Sequence, residues 1–472
     1  MRKVAIIGGG ISGLSAAYYL EKARRNGAPL EWRLFEQSPR LGGIVGSEYL
    51  NGCVIETGAD SFLSEKPWAF DLCRELGLED QLIGSNDAAR KTFILLHGKL
   101  VPLPEGLQFI VPVSLESVMR SELFSEETRR LIAAEVNLPP RRNEGDESVA
   151  AFVARHFGDE VVDRLAGPML AGVYGGDIAK LSMRTIMPRF LKMEEEHGSL
   201  IRALQASAGK KSPRPIFTSL KNGMQQLLDA IAARLDPNTI LTQRVITAVV
   251  KSQNGKITRW KLQGIGFTEE FDALILAIPA YASAHLLQSC CPELVRELGK
   301  IPYSSSVIVT LAFPKREFDK HDVHPEGFGF LVPASEKSRL LACTFVGNKF
   351  QHRQADGLVL LRGVLGGAHD EAALALSDAE AVAIVQREVA EILGINNGIH
   401  SQPVFTRVFR WPRSMPQYEV GHLERVACIE HLRKNVPGVY LIGNAYRGVG
   451  VPDCIREGRD AAEKILAAFP SN

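Results

Sequence analysis

The sequence predicts an α/β fold: a discontinuous Rossmann-like nucleotide-binding domain, an α+β domain beside it, and a mostly helical insertion. Three observations predict it. A glycine-rich turn joins an apolar strand to a helix at the start, a second strand–glycine turn–helix unit lies at the end, and strand signals vanish between about 98 and 211 before returning. A chain of 472 residues is long enough for two or three domains. Its 45% hydrophobic and 23% charged residues are ordinary for a globular protein, and a net charge of +1 argues against a bulk nucleic-acid binder.

In chain order, Val4–Ile7 is a continuous apolar run, the pattern of a parallel strand covered on both faces. Gly8, Gly10 and Gly13 then have GxGxxG spacing, with Gly9, Ile11 and Ser12 between them, and "SGLSAAYYL" reads as a helix. Such glycines make the tight turn, admit a pyrophosphate to the backbone and let the helix lie against the strand. The helix N-terminus offers free N–H groups to the phosphates. Glu36, followed by Gln37, ends the next strand "EWRLFE" at about the 20-residue separation expected of a ribose-binding acid. Arg40, Gly42 and Gly43 extend this site, and "IVGSEYLNGCVIETG" reads as a hairpin turning at Asn51–Gly52.

The region 98–211 reads as amphipathic helices broken by Pro and Gly, ending in a basic, mobile linker at 206–215. Strands return in the hairpin with Asn254–Gly255 at its tip, in "FDALILAIP", and in four runs between 304 and 367; "SDAEAVAIVQREVAEIL" is a helix. The boundaries expected are 1–94 (nucleotide domain, with a substrate-side hairpin at 49–60), 95–211 (insertion), 212–287 (nucleotide domain), 288–427 (substrate domain) and 428–472 (nucleotide domain).

Seven cysteines (53, 73, 290, 291, 343, 428 and 454) form no CxxC pair, and the charged start leads straight into a strand without a signal peptide. Both point to a reducing cytoplasm. His321 and His324 lack a ligand set, so no metal site is expected, and no apolar run reaches the length of a spanning helix.

In "VYLIGNAYRGVGVPDCIREG", Gly448 and Gly450 allow a tight turn and Pro452 suits a first helical turn. The new helix would aim its positive end above the first glycine loop. If an isoalloxazine lies there, negative charge at its N1/C2 edge gains about 0.3–1 kcal/mol, up to roughly 2 when partly buried. A nucleotide sheet assembled from the first, middle and last parts of a chain suits a flavoprotein better than a simple NAD dehydrogenase.

The motifs "GGGISGLSAAYYL", "RLGG", "GADSFL", "LAGVYGGDIAKLS", "MPQYEVGH" and "GVGVPDCIREG" resemble, in order and end to end, the oxygen-dependent protoporphyrinogen/coproporphyrinogen oxidases, the HemY-type branch of the FAD amine-oxidase-like superfamily. The resemblance implies stepwise hydride removal from a porphyrinogen (protoporphyrinogen IX or coproporphyrinogen III) in heme biosynthesis, with FAD as cofactor, molecular oxygen as acceptor and hydrogen peroxide released. It implies that Gly8 to Gly13 hold the pyrophosphate, Glu36 and Gln37 the ribose end, and Val245 the adenine end. Arg40, Gly42, Gly43 and Ile44 would line the path to the flavin, and Gly58, Ala59, Asp60 and Ser61 would pass beneath the ring. Trp411 would lie near it, with Val449, Gly450 and Val451 over its pyrimidine edge. For the porphyrinogen it implies the carbonyl of Gly172 and apolar walls at Leu331 and Val364.

Some members carry a propionate-binding arginine where this chain has Asp60, which makes Lys66 the first substitute to consider. No catalytic residue or general base is assigned, since the flavin does the chemistry. The alternatives are an amine oxidase or phytoene desaturase on the same scaffold, or a lipid-binding protein of the GDP-dissociation-inhibitor type. The family resemblance also implies peripheral contact of the insertion with the inner face of the cell membrane. Nothing in the sequence specifies an oligomeric state.

Overall fold

The computed structural model describes residues 1–142, 145–206, 214–254, 257–395 and 402–468. Most of the expected 206–215 linker and the Gly255 turn position lie outside them.

The chain starts with β1 (Arg2–Ile7), α1 (Ile11–Arg25) and β2 (Leu30–Phe35). The hairpin of β3 (Ser47–Leu50) and β4 (Cys53–Glu56) turns on Asn51 and Gly52, both left-handed as a tight two-residue hairpin requires. A second hairpin pairs β5 (Thr92–Leu96) with β6 (Lys99–Pro102). Helices follow between Leu115 and Ala206, among them α2 (Gly167–Tyr174). Next come β7 (Ile240–Leu241) and β8 (Ala273–Leu276), then β9 (Tyr303–Pro314), β10 (Gly329–Leu331), β11 (Leu340–Phe345) and β12 (Leu358–Gly366). The chain closes with α3 (Asp378–Ile392), β13 (Phe405–Pro416), α4 (His422–Arg433), β14 (Val439–Leu441) and α5 (Val451–Ala468).

Two sheets carry the site. The first is parallel, in the order β7-β2-β1-β8-β14, so its strands come from the beginning, middle and end of the chain. Apolar residues cover both faces: Val4 and Ile6 pack towards α1 and α5, Ala5 and Ile7 towards the opposite layer. Helix α5 lies close on α1 because Gly458 has no side chain; a Cβ there would stand 2.6 Å from the Ser12 carbonyl oxygen. The second sheet has seven strands, β13-β9-β12-β11-β10-β5-β6, antiparallel except for β10 beside β5. One face carries Val307, Val309, Leu311, Leu361 and Leu365 into a core with α3. The other face looks into the site.

The structure moves three of the expected boundaries. Residues 92–102 are not part of the helical insertion, because Phe93 and Ile94 pair with Phe330 and Leu331 in the seven-stranded sheet. The helix Pro292–Gly299 and α4 belong with the parallel sheet: Leu294, Leu298, Val426 and Ile429 share a core with Leu274, Leu276 and Val439. The 287/288 and 427/428 divisions therefore fall within the layer built on the parallel sheet. The helical insertion has its own core around Phe152, Phe157, Leu170 and Met183.

Within it, His156 is fully buried between the carboxylates of Glu135 (3.0 Å) and Glu194 (3.3 Å). Arg155 bridges Glu194 to Glu147. Burial disfavours the imidazolium, but hydrogen bonds to Glu135 and Glu194 prevail and raise the His156 pKa above 6.5. No described helix is long and apolar enough to cross a membrane.

Candidate active site

At the end of β1, Gly8 has φ 106° and gives its N–H to Phe35 O at 2.8 Å, which fixes the turn against β2. A Cβ on Gly13 would lie 1.9 Å from the Gly8 carbonyl oxygen, so this position admits only glycine. The N-terminus of α1 has no side-chain cap and no acidic residue in its first turn. Its first N–H groups thus lack intrahelical partners and point out of an all-glycine approach, an arrangement that fits a diphosphate.

Glu36 is buried, accepting from the Gly9 N–H (2.7 Å) and the Ser38 N–H (2.8 Å). Arg244 N donates to Glu36 O and Gln243 N to Ser38 O, which brings Val245 to the same end of the cradle. Gly42 N–H donates to Gly9 O at 2.8 Å, stitching the second glycine turn to the first. Arg40 spends its guanidinium on the carbonyls of Leu41, Gly43 and Val45, so it shapes this turn rather than standing free along the path. Gln37 is exposed at the rim.

The segment 57–61 crosses between the two sheets. Gly58 lies under the Ile44 carbonyl oxygen, where a Cβ would come within 2.0 Å. Trp411 donates Nε1–H to Thr57 O (2.6 Å), and Arg362 donates to Gly58 O. Asp60 hydrogen-bonds Ser61 and pairs with Lys349 at 2.8 Å. Burial would raise its pKa, but Lys349 and Arg362 hold the carboxyl well below the usual carboxylate range. Opposite this shelf, α5 begins at Val451, directly after Val449 and Gly450. The Tyr418 hydroxyl receives the Gly448 N–H (2.8 Å) and donates to Asn444 O (2.5 Å), clasping both ends of the preceding loop. His422, fully buried and stacked on Tyr418, donates Nε2–H to Tyr446 O; burial lowers its pKa to about 4, so it is neutral.

The site-facing side of the seven-stranded sheet is ordered in rows. Leu331, Ala342, Val364, Ile308 and Phe409 are successive cross-strand neighbours and form an apolar row. Two residues along on one side, Ser306 joins Gly366 and Trp411; two along on the other, Thr344, Arg362, Thr310 and Arg407 form a polar row. Gly172, on α2, stands above the apolar row, where a Cβ would meet Leu331 Cδ2 at 3.5 Å. Gln417 donates to Tyr174 O (2.8 Å) and so holds the C-terminal end of α2. The structure thus brings Gly172, Leu331 and Val364 together.

Lys66 is held by another element. Its ammonium is tied to Asp453 at 2.5 Å, and Asp453 is buried in the first turn of α5. The pair sits at a helix N-terminus, where the carboxylate suits the dipole and the lysine offsets its charge. Arg362, Lys349, Tyr418 and Gln417 escaped the sequence reading. For Arg362 and Thr310 a signal existed: each is the polar exception in an otherwise apolar strand, "LVLLRGVLG" and "VIVTLAF". Among the described residues, no group of three or more His, Cys, Asp or Glu side chains is placed to hold a metal ion.

The chain is similar over nearly its whole length to proteins of known name. It is 34% identical to coproporphyrinogen III oxidase of Bacillus subtilis, covering 98% of both chains. It is 30% identical to coproporphyrinogen III oxidase of Staphylococcus aureus, covering 99% of both. Chloroplastic protoporphyrinogen oxidase 1 of Arabidopsis thaliana is 28% identical over 98% of this chain and 87% of that one. A crystal structure from Exiguobacterium sp. 255-15, described as a "putative protoporphyrinogen oxidase", superposes with a TM-score of 0.86 at 29% identity, covering 98% of each chain. The family model described as "flavin containing amine oxidoreductase" matches residues 11–466, from the first turn of α1 to the last turn of α5. With the uncapped glycine cradle and the clasped loop at its two ends, the chain belongs to the flavin-containing amine oxidoreductases.

Proposed function

We propose that the protein is an FAD-dependent coproporphyrinogen III oxidase of heme biosynthesis, removing hydrogen from the macrocycle until the aromatic porphyrin forms and passing it to dioxygen as hydrogen peroxide. The observation that carries this reading is the apolar row Leu331–Ala342–Val364–Ile308–Phe409, a flat surface with Trp411 beside it and Gly172 above it. A planar apolar ring matches that surface, whereas a small amine would leave most of it uncovered. Named relatives from four bacterial genera support coproporphyrinogen over protoporphyrinogen as the substrate.

Bound FAD supplies hydride acceptance and its return to oxygen. In this reading the α1 N-terminus holds the pyrophosphate, with Glu36 and Val245 at the adenosine end. Gly58 to Ser61 and Trp411 would carry the flavin ring, and Val449 to Val451 would cover its pyrimidine edge. The Gly172 carbonyl steadies the pyrrole N–H groups, and the apolar row excludes water. Both ends of this arrangement are preorganised, because Tyr418 and Gln417 fix the loop and the helix by hydrogen bonds to backbone. The protein works in the cytoplasm, and its helical insertion touches the inner face of the membrane peripherally.

The test is turnover by the purified yellow protein of coproporphyrinogen III, protoporphyrinogen IX and putrescine in parallel. The proposal expects porphyrin fluorescence and peroxide from the first at the highest kcat/KM. Oxidation of putrescine alone rejects it.

A further inference from the structure

We propose that Thr310, Arg362 and Thr344, with Lys349 beside them, form a site for a single small monovalent anion, either a carboxylate group or a halide. The three side chains are cross-strand neighbours on β9, β12 and β11, so one guanidinium is flanked by two hydroxyls on one sheet face. They line a small cavity of about 20 Å³, room for one water-sized group, with Asp60, Lys349 and Arg353 on its other side.

The charges around it do not cancel. Asp60 is matched by Lys349 (2.8 Å) and Glu56 by Arg353 (2.8 Å). Arg362 donates to the neutral Gly58 carbonyl and, among the described residues, forms no ion pair; the Asp60 carboxylate feels its charge but is paired with Lys349. Three buried polar atoms around this cavity lack a hydrogen-bond partner: Arg353 Nη1, which is ion-paired with Glu56, and Arg362 Nε and Thr310 Oγ1, the last on a residue 1% exposed. Buried donors of this kind call for a ligand. A water could satisfy the hydroxyl yet leave the guanidinium uncompensated; an anion does both.

The row lies two residues, about 7 Å, along the strand from the apolar row. A carboxylate arm on a ring seated over Val364 would reach it. That source rests on the porphyrinogen reading, but the anion site itself does not, since a free anion would satisfy the same groups.

The experiment soaks crystals of the flavin-loaded protein in bromide and locates it by anomalous scattering, in wild type and in Thr310→Val. A bromide peak within hydrogen-bond reach of Thr310 and Arg362, lost in the variant, is the expected result. Should that variant not fold, Thr344→Val serves in its place. Acetate then identifies the source. Competition that raises the KM for coproporphyrinogen III severalfold assigns the site to a substrate carboxylate; an unmoved KM assigns it to a resident free anion. Bromide bound in a protein that turns over no porphyrinogen leaves the site standing and removes the proposed function. No peak in wild type, or an equal peak in Thr310→Val, overturns the site.

Discussion

The cradle at the ends of β1 and β2 and the site-facing side of the seven-stranded sheet are built by opposite means. The cradle is made of backbone: glycines that let peptide groups touch, an uncapped helix end, and a carboxylate spent on two N–H groups. The sheet face is made of side chains aligned by register across four or more strands. Backbone recognition tolerates almost no substitution at its glycines but carries little specificity for the ring it serves. Side-chain recognition tolerates change and sets which substrate fits.

That contrast breaks most sharply at Gly13. Gly13→Ala places a methyl group against the Gly8 carbonyl oxygen, and overpacking of this kind costs about 1–3 kcal/mol or more. The variant should purify without flavin and with a lowered Tm. Gly10→Ala is its control. Its φ of −73° suits alanine, and the new Cβ would come no nearer than 4.0 Å to Gly42 O. It should hold the stability of the flavin-free protein to within about 0.5 kcal/mol while losing flavin affinity at least about tenfold, read by absorbance after dialysis. Equal flavin content in Gly10→Ala and wild type would remove the diphosphate from this loop.

On the sheet side, Leu331→Ala trims the surface under Gly172. Flavin content should stay unchanged while the KM for coproporphyrinogen rises about tenfold, in line with roughly 1.5–3 kcal/mol for a buried leucine side chain. A loss of flavin instead would mean that the two regions are not separable.

The cradle and its partner turn were legible in the sequence because close backbone approach leaves only glycine possible, and glycine spacing is local. The rows were not. Register between β9, β11 and β12 depends on how distant strands pair, and the sequence does not display which residues of β11 face Val364. The pairing of Lys66 was illegible for a related reason: its partner Asp453 is distant in the chain and meets it only when α5 docks on the first sheet. The 94/95 division failed likewise, since β5 becomes a sheet strand only by pairing with β10.

A third region sharpens the comparison by doing neither job. In the helical insertion, the raised His156 pKa contributes stability that is fully present below pH 6.5 and is lost as pH rises through its folded-state value. Glu194, held down to about 2 against burial by His156 and Arg155, contributes in the other direction: present above its usual 4.5 and lost as pH falls toward 2. Urea midpoints should therefore decline from pH 6 into the alkaline range in wild type and more shallowly in His156→Gln, at constant flavin content.

The smallest effect belongs to Lys66. Its pair with Asp453 is part-exposed on the lysine side, so Lys66→Met should cost below about 1 kcal/mol of stability. It should move the KM for coproporphyrinogen less than about twofold; a tenfold rise would return Lys66 to the substrate.

The central claim, that backbone cradle and side-chain rows together oxidise a porphyrinogen, is tested most directly by single-turnover mixing of the yellow enzyme with anaerobic coproporphyrinogen III. The account predicts bleaching of the flavin absorbance at a rate that saturates with substrate and is slowed by Leu331→Ala, then recovery with peroxide on admission of oxygen. A flavin that stays oxidised in the presence of coproporphyrinogen III and protoporphyrinogen IX alike would contradict it.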